Sequence, residues 1–192
     1  AYRRQRQMCI RDRNKYVEVS PPIIVKTACE GGATLFNLKF FNTNAYLTQS
    51  SQLYLEIMIF THERVWCLAP SFRAERSRTK RHLSEFWHLE AEAAWMDLDG
   101  LMKLEEELVS HICQSVASKC REELKLLGRD PEKLEEIKPP FERITYKEAI
   151  ERLKEMGSKI KFGEDIGGDE EFLLTKDLKK PIFLVGLSLI HI

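Results

Sequence analysis

The stretch of the sequence with the clearest capacity for chemistry runs from Ser71 to Glu92 and reads SFRAERSRTKRHLSEFWHLEAE. Five cations fall within ten residues, namely Arg73, Arg76, Arg78, Lys80 and Arg81. His82 follows them, and the sign of the charge then reverses at Glu85, Glu90 and Glu92. An arginine guanidinium can form two parallel hydrogen bonds to a phosphate group. Carboxylates bind ammonium groups, or bind magnesium together with the phosphates of a substrate. The stretch therefore suits a nucleoside triphosphate bound together with a small zwitterion.

Alternation of side chains along extended strands places the polar residues of this stretch on one face. Arg73 and Glu75 share a face of the first strand. On the second strand one face carries Phe86, His88, Glu90 and Glu92, and the apolar face carries Trp87, Leu89, Ala91 and Ala93. If the strands pair as a hairpin, the polar rows line one cleft, where Arg73 can hold a phosphate oxygen and Phe86 can stack on a purine. The alternative is a solvated basic hairpin, which is what composition alone favours.

Composition and missing motifs argue against several other kinds of site. The chain has 192 residues with 30 basic and 30 acidic side chains, so bulk charge does not attract nucleic acid. Neither GxxxxGK[ST] nor GxGxxG is present, so neither common phosphate-binding loop is supported. Five cysteines without a CxxC pair indicate a reduced protein without structural zinc. Because no apolar run has membrane-spanning length and no secretory signal is seen, we expect a cytoplasmic protein with no membrane partner.

The first half of the chain predicts strands and one helix. Residues 15–25, KYVEVSPPIIV, predict a strand that is interrupted by Pro21 and Pro22. CEGGATLFNLKFF predicts a turn at Gly31 and Gly32 followed by a strand. NTNAYLTQSSQLYLEIMIF predicts a short turn, a brief strand and a helix. One side of that helix carries Leu53, Ile57 and Phe60.

The second half predicts two helices and a last strand. Residues 97–127 predict a long amphipathic helix with Asp97 as its N-cap. Much of its apolar stripe is formed by Leu101, Leu104, Leu108, Ile112 and Val116. Residues 145–157 predict a helix with a capping box from Thr145 to Glu148 and Gly157 at its end. KKPIFLV predicts a short strand, and the charged residues 121–138 predict a solvated helix end and linker. The mixed order, with antiparallel hairpins, predicts an α+β fold.

The two ends of the chain share an unusual relationship. MCIRDR, at residues 8–13, and LSLIHI, at residues 187–192, can be encoded by one short DNA element read in opposite orientations. A transposon-type sequencing adapter that has been translated by mistake has this property. We therefore expect residues 1–13 and 187–192 to be non-native tails, and they are left out of the fold prediction. Residues 14–186 would then be the middle of a longer gene.

The basic stretch and its flanks resemble a known family. FRAERSRTKRHLSEFWHLEAE resembles motif 2 of the class II aminoacyl-tRNA synthetases of the aspartate, asparagine and lysine subgroup. EGGATLF and YLTQSSQLYLE resemble flanking signatures of asparaginyl-tRNA synthetases of the archaeal and eukaryotic type. YVEVSPPII is similar to the end of motif 1, whose proline, here Pro22, lies at the dimer interface. The resemblance covers residues 14–186 and implies part of a catalytic domain, an antiparallel sheet flanked by helices that binds bent ATP.

The resemblance also implies roles for particular residues. Arg73 would be catalytic, because it would bind the α-phosphate of ATP and the carboxylate of the amino acid. The implied ATP-binding residues are Arg73, Glu75, Arg81, His82 and Phe86, and the implied amino-acid-binding residues are Glu30, Ser50, Gln52, Glu56 and Glu90. For Glu30, Ser50 and Gln52 the alternatives are a turn cap, a helix cap and a surface group. No metal ligand is expected within this segment.

The implied reaction has two steps and needs no covalent enzyme nucleophile. The carboxylate of asparagine attacks the α-phosphate of ATP, which gives asparaginyl-adenylate and pyrophosphate. The terminal adenosine of tRNA(Asn) then attacks the adenylate. Positioning and neutralisation of phosphate charge by arginine and Mg²⁺ would supply most of the catalysis. The implied assembly is a homodimer formed through motif 1.

The choice between asparagine and aspartate depends on two positions of the predicted helix. Aspartyl relatives carry a lysine after QSxQLx, where it can pair with the side-chain carboxylate of the substrate. This chain has Leu55 at that position and Glu56 next to it. Leu55 cannot pair with a carboxylate, whereas Glu56 can accept a hydrogen bond from an amide and repel aspartate. Asparagine is therefore the predicted substrate; the alternative for Glu56 is an exposed helix carboxylate.

Three other interpretations stay open on the sequence. They are an archaeal asparagine synthetase-like paralogue, a non-discriminating aspartyl-tRNA synthetase, and a synthetase-like protein that serves as an interaction module. The family's motif 3, its downstream magnesium-binding region and its anticodon-binding domain have no counterpart in these 192 residues. We therefore expect that this chain by itself does not form the adenylate.

Overall fold

The computed structural model describes residues 15–27, 35–74 and 83–187. The chain divides into two units, Ala1–Met96 and Asp97–Ile192. The predicted turn at Gly31 and Gly32, most of the basic stretch, and both predicted tails apart from Leu187 lie outside the described residues. Helices and strands alternate irregularly in both units, which confirms the predicted α+β class.

Two small sheets and one helix make up the described part of the first unit. The elements are β1 (Val17–Glu18), β2 (Ile24–Val25), β3 (Asn37–Phe40), β4 (Thr43–Leu47), α1 (Gln52–His62), β5 (Arg64–Phe72) and β6 (Glu85–Ala93). In one sheet β1 pairs parallel with β5, and β5 pairs antiparallel with β6. The other sheet is antiparallel and has the order β2-β4-β3. Pro21 and Pro22 lie between β1 and β2, as predicted, where neither sheet needs a backbone N–H from them.

The strands β5 and β6 form the long hairpin that the sequence predicts. Their register runs from Arg64 opposite Ala93 to Phe72 opposite Glu85. Val65, Trp66 and Cys67 on β5 are almost completely buried. Removing these side chains from water stabilises the sheet, because each fully buried large apolar side chain contributes about 1.5–3 kcal/mol. The hairpin is therefore the rigid element on which neighbouring residues are placed.

The helix α1 packs on the face of the hairpin that carries the predicted polar row. Leu55, exposed by only 1%, packs with Val65, Cys67 and Ala69 of β5. Ile59 lies one turn further along α1 and packs against the same cluster. The predicted helix is confirmed, but Leu53, Ile57 and Phe60 are exposed. Leu55 and Ile59, spaced four residues apart, set the packed side instead.

Two carboxylates approach each other where α1 passes the end of β6. Partial burial raises the pKa of the Glu92 carboxyl, and the negative charge of Glu56 raises this pKa further. A carboxyl whose pKa is raised by folding favours the folded state while it is protonated. This contribution to the free energy of unfolding is fully present below the pKa that the carboxyl has in the unfolded chain. It is lost as the pH rises through the pKa of the carboxyl in the folded protein. Glu92 therefore destabilises the fold at neutral pH.

We predict that Glu92→Gln raises the thermal unfolding midpoint at pH 7, because it removes a partly buried charge next to Glu56. Below about pH 4 the carboxyl is protonated in both states, so the difference from the wild type should disappear. Glu85→Gln at the exposed start of the same strand is the matched control and should show no such gain. A loss of stability at pH 7, or an equal gain at both pH values, would contradict this account.

The described part of the second unit contains five helices and two strands. The elements are α2 (Leu98–Lys119), α3 (Arg121–Leu126), α4 (Pro131–Glu135), β7 (Glu142–Thr145), α5 (Tyr146–Glu155), α6 (Gly168–Thr175) and β8 (Ile182–Val185). The strands β7 and β8 pair in parallel. The sequence predicted α5 and β8 but neither β7 nor α6. None of the helices among the described residues combines the length and apolarity needed to cross a membrane.

The long helix predicted over residues 97–127 is interrupted near its end. Asp97 is its N-cap as predicted, since its Oδ1 accepts a hydrogen bond from the backbone N–H of Gly100 at 2.8 Å. The helix α2 ends at Lys119, and Cys120, at φ −125° and ψ 36°, leaves helical geometry before α3 begins. The prediction of one continuous helix was wrong because the break falls at a cysteine rather than at glycine or proline.

The predicted apolar stripe of α2 is only partly buried. Leu101 is exposed, and the other four residues of the stripe are half-buried. The buried positions of this helix are Met102, Glu106 and Ala117. The Glu106 carboxylate accepts a hydrogen bond from the backbone N–H of Phe141 at 2.8 Å. This bond ties the loop before β7 to α2 and supplies the partner that a buried carboxylate requires.

The core of the second unit lies under α5. The buried residues of this cluster are Ile144, Tyr146, Ala149, Ile150, Leu153, Ile160 and Leu174. The helix α5 begins with the predicted capping box: the Thr145 hydroxyl accepts from the backbone N–H of Glu148, and the Glu148 carboxylate accepts from the backbone N–H of Thr145. Gly157 follows the helix with φ +91°, a backbone conformation that favours glycine.

We predict that Thr145→Ala destabilises the protein by about 1 kcal/mol, because the backbone N–H of Glu148 loses its acceptor and the Glu148 carboxylate loses the Thr145 hydroxyl. Thr145→Ser retains the hydroxyl and should restore most of that stability. The control is Thr175→Ala, which removes an exposed hydroxyl bonded to the carbonyl of Glu171. Chemical unfolding measures all three variants. If Thr145→Ala and Thr175→Ala lower the free energy of unfolding equally, the capping box contributes no more than an exposed hydroxyl does.

Candidate functional site

The predicted polar row is present on one face of the β5–β6 hairpin. Directly opposed residues of an antiparallel pair project to the same face. The opposed pairs on this face are Ser71 with Phe86, Ala69 with His88, Cys67 with Glu90 and Val65 with Glu92. Arg73 extends the row beyond β5, where its backbone N–H donates to the carbonyl of Ser84 at 3.0 Å. The sequence-based assignment of Arg73, Phe86, His88, Glu90 and Glu92 to one face is confirmed.

One end of the row joins a cation to an aromatic ring. The Cζ atom of Arg73 lies 5.5 Å from the centroid of the Phe86 ring. Arg73 is exposed and Phe86 is half-buried. The attraction between the guanidinium and the π-face holds the two side chains together while leaving donors of the guanidinium available. This end can therefore bind a planar base and an anionic group side by side.

The other end of the row is organised around the Glu90 carboxylate, whose side chain is exposed by only 10%. The backbone N–H of Ser51 lies 3.0 Å from each of its two oxygens, and the Ser50 hydroxyl donates to Oε1. The Cys67 thiol lies 4.0 Å from Oε2. Because Ser51 is the N-cap residue of α1, the carboxylate also lies at the positive end of that helix. Glu90 thus ties β6 to the start of α1.

Ser50 connects this carboxylate to a neighbouring cleft. The backbone N–H of Gln52 donates to the Ser50 hydroxyl oxygen at 3.2 Å. A cleft of about 220 Å³ opens beside Ser50 and is lined in part by Val25, Thr48, Leu53 and Tyr54. Ser50 and Glu90, both predicted to bind an amino acid, are therefore brought into contact, and Ser50 also lines the cleft.

Gln52 and Glu56 lie on the exposed side of α1. The side-chain Nε2 of Gln52 donates to Oε1 of Glu56 at 2.9 Å, across one turn of the helix. Glu56 is exposed, and its negative charge raises the pKa of the Glu92 carboxyl. The exposure agrees with the alternative of a helix carboxylate, and a role for either residue in amino-acid binding stays a prediction.

The remaining predicted residues are placed differently. Glu30, Glu75, Arg81 and His82 lie outside the described residues. Pro22 is exposed in the segment between β1 and β2. Among residues 15–27, 35–74 and 83–187, no group of three His, Cys, Asp or Glu side chains is arranged to hold a metal ion.

Three polar residues of the site were not assigned a role from the sequence. They are Cys67, Ser71 and His88. Burial raises the pKa of the Cys67 thiol, so the thiol stays neutral beside Glu90. The Ser71 hydroxyl lies 3.2 Å from Nδ1 of His88. His88 was visible as a member of the polar row, whereas Cys67 and Ser71 become recognisable only through their register opposite that row.

Comparison with known proteins identifies relatives along nearly the whole chain. The family model described as tRNA synthetases class II (D, K and N) matches residues 4–188. An asparagine–tRNA ligase of Pyrococcus abyssi is 55% identical over 174 residues, which are 91% of this chain and 40% of the relative. The asparagine–tRNA ligase of Thermoplasma acidophilum is 49% identical over 173 residues, 90% of this chain and 40% of the relative. The chain thus spans about two fifths of the length of these relatives.

Solved structures agree with the sequence matches. The asparaginyl-tRNA synthetase of Pyrococcus horikoshii, complexed with asparaginyl-adenylate, has a TM-score of 0.88 at 50% identity and matches 94% of this chain and 42% of its own. The Entamoeba histolytica asparaginyl-tRNA synthetase has a TM-score of 0.80 at 37% identity, over 95% of this chain and 42% of its own. The resemblance inferred from motif 2 is confirmed, and the chain belongs to the class II tRNA synthetases of the D, K and N group.

Proposed function

We propose that this chain supplies part of the active site of an asparagine–tRNA ligase, which joins asparagine to ATP as asparaginyl-adenylate and transfers it to tRNA(Asn). The single observation that carries the proposal is the polar row on the β5–β6 hairpin. Its Arg73–Phe86 end suits a nucleotide, and its Ser50–Glu90 end suits a small polar molecule. The similarity to asparagine–tRNA ligases supports the same substrate.

The length of the row fits one adenylate. Phe86 and Glu90 are four residues apart on the same strand, which corresponds to about 13 Å at ~3.3 Å per residue. An aminoacyl-adenylate presents its base, its phosphate and its amino acid in that order. With adenine on Phe86 and the amino-acid end near Glu90, the α-phosphate would lie between them, and the Arg73 guanidinium, which lies beside the Phe86 ring, would extend to it. One face of one hairpin can therefore align the two reactants.

The chemistry that these residues supply is alignment and charge. The asparagine carboxylate attacks the α-phosphorus, a new acyl–oxygen–phosphorus bond forms, and the bond to pyrophosphate breaks. Arg73 would neutralise charge that develops on the phosphoryl oxygens, while Glu90 would hold an N–H-bearing group of asparagine. Mg²⁺ would accompany ATP as its counterion. The described residues offer no three-ligand cluster for this ion, and no step is assigned to it.

Selectivity for asparagine follows from the charges near the amino-acid end. Leu55 is buried in the apolar cluster and offers no positive partner for the carboxylate of aspartate. Glu90 is ionisable and lies beside Ser50, so a second carboxylate at this position would be repelled. An amide has N–H groups that a carboxylate can accept. The row therefore favours asparagine over aspartate.

The proposed assembly and location follow from the family. Pro22 and the neighbouring Ile24 are exposed, and they suit a contact with a second copy of the chain at motif 1. A homodimeric, cytoplasmic enzyme with tRNA(Asn) as its macromolecular substrate is the form we propose.

The direct test of the nucleotide end is asparagine-dependent ATP–pyrophosphate exchange by a hybrid enzyme. In this hybrid, residues 15–186 replace the matching segment of the Pyrococcus horikoshii asparaginyl-tRNA synthetase. We predict that Arg73→Ala lowers the exchange rate by about 100-fold or more, as removal of a charge-stabilising donor does in other enzymes. The control is Arg129→Ala, at an exposed position of the second unit. Full exchange by Arg73→Ala would contradict the proposal.

The amino-acid end makes a separable prediction in the same hybrid. We expect Glu90→Gln to raise the KM for asparagine by about tenfold, because a charged hydrogen-bond acceptor is worth about 1.5 kcal/mol or more. The KM for ATP should change little. Glu85→Gln, exposed at the start of β6, is the matched control. An equal rise of both KM values would assign Glu90 a structural role only.

A further inference from the structure

Between the two ends of the polar row lies His88, a residue that the proposed function leaves without a task. Its ring centroid is 5.5 Å from that of Phe86, and its Nδ1 atom is 3.6 Å from Oε2 of Glu90. The side chain is exposed by 31%. The ring is therefore partly open to solvent at the centre of the row, between the base end and the amino-acid end.

The Ser71 side chain lies within hydrogen-bond distance of the His88 ring. Ser71 is completely buried, and its hydroxyl oxygen lies 3.2 Å from Nδ1. Among the described residues, this nitrogen is the group within hydrogen-bond distance of the hydroxyl. A buried hydroxyl that cannot donate loses stability, because its hydration is not replaced. The Ser71 hydroxyl therefore donates and Nδ1 accepts.

Glu90 does not compete for a proton on Nδ1. The separation of 3.6 Å between Nδ1 and Oε2 is longer than a hydrogen bond. Each carboxylate oxygen has a nearer partner in the backbone N–H of Ser51, at 3.0 Å, and Oε1 also accepts from Ser50. The neutral ring then carries its proton on Nε2, since a neutral imidazole has one N–H and one acceptor nitrogen.

We propose that Ser71 is a positioning residue that fixes the Nε2–H tautomer of His88, and that this N–H donates to an oxygen of the acyl-phosphate linkage of a bound aminoacyl-adenylate. This proposal rests on the proposed function. The linkage lies between the base and the amino acid, as His88 lies between Phe86 and Glu90. Its phosphoryl and carbonyl oxygens are acceptors only, so the opposite tautomer would present the wrong group to them.

The tautomer can be read directly in the 192-residue chain by ¹⁵N NMR of its histidines. The spectra are recorded at about pH 8.5, above the ordinary pKa of a histidine side chain. We expect an Nε2–H ring for His88, whose signals are assigned by their loss in His88→Gln. Ser71→Ala should move the ring towards a mixture of tautomers, whereas Ser71→Thr should keep Nε2–H. Ser118→Ala removes an exposed hydroxyl elsewhere and should change nothing.

The tautomer of the wild type can overturn the first part without any variant. A ring protonated on Nδ1, or an Nε2–H ring that Ser71→Ala leaves unchanged, would overturn the role of Ser71. If Ser71→Ala does not fold, the wild-type spectrum and Ser71→Thr still give this answer.

The second part is tested by adding a sulfamoyl analogue of asparaginyl-adenylate to the hybrid enzyme that carries residues 15–186 of this chain. We expect the His88 Nε2 signal to move on binding, and Ser71→Ala to weaken binding by about three- to tenfold. Binding of the analogue with an unmoved Nε2 signal would overturn the donor role of His88. No binding of the analogue to the unmutated hybrid would instead count against the proposed function, while the tautomer result would stand on its own.

Discussion

The arrangement of the site depends on the Glu90 carboxylate. It accepts hydrogen bonds from the backbone N–H of Ser51 and from the Ser50 hydroxyl. A helix leaves its first backbone N–H groups without partners inside the helix, and an anion at that end is favourable. Here the anion comes from the neighbouring strand rather than from the helix itself, since the N-cap Ser51 makes no side-chain cap hydrogen bond. The start of α1 and the middle of β6 are therefore fixed together, and Ser50 is held at the cleft.

This tie works together with the apolar contact one turn further along the helix. Leu55 packs on Val65 and Cys67 of β5, which are paired with the row residues Glu92 and Glu90 of β6. The polar and apolar contacts lie on the same face of β5 and β6, so the helix covers one end of that face and leaves the other end open. Arg73 and Phe86 lie at the open end. Under the proposed function, ATP would enter at the open end and the small amino acid would be enclosed at the covered end.

Much of this arrangement could be predicted from the sequence. Alternation alone placed Phe86, His88 and Glu90 on one face, because side chains on a strand have a period of two. The capping box at Thr145 was equally local and was correct. Contacts between distant residues were less accessible: the burial of Leu55 in place of Ile57, and the partnership of Ser71 with His88, depend on how α1 and β5 pack. No glycine or proline at Cys120 indicated in the sequence that the helix would break there. Ser50 could be assigned to the site only through the family resemblance, because no local pattern predicts its contact with Glu90, which is 40 residues away in the sequence.

The central claim is that one face of the hairpin binds an adenylate along its length, with the base at Phe86 and the amino acid at Glu90. A crystal structure of the hybrid enzyme with the sulfamoyl analogue of asparaginyl-adenylate tests it most directly. The account predicts adenine stacked on Phe86, a sulfamoyl oxygen within hydrogen-bond distance of Arg73, and a nitrogen of asparagine within about 3 Å of the Glu90 carboxylate. An analogue bound in the reverse orientation, or bound without contact to Glu90, would contradict it.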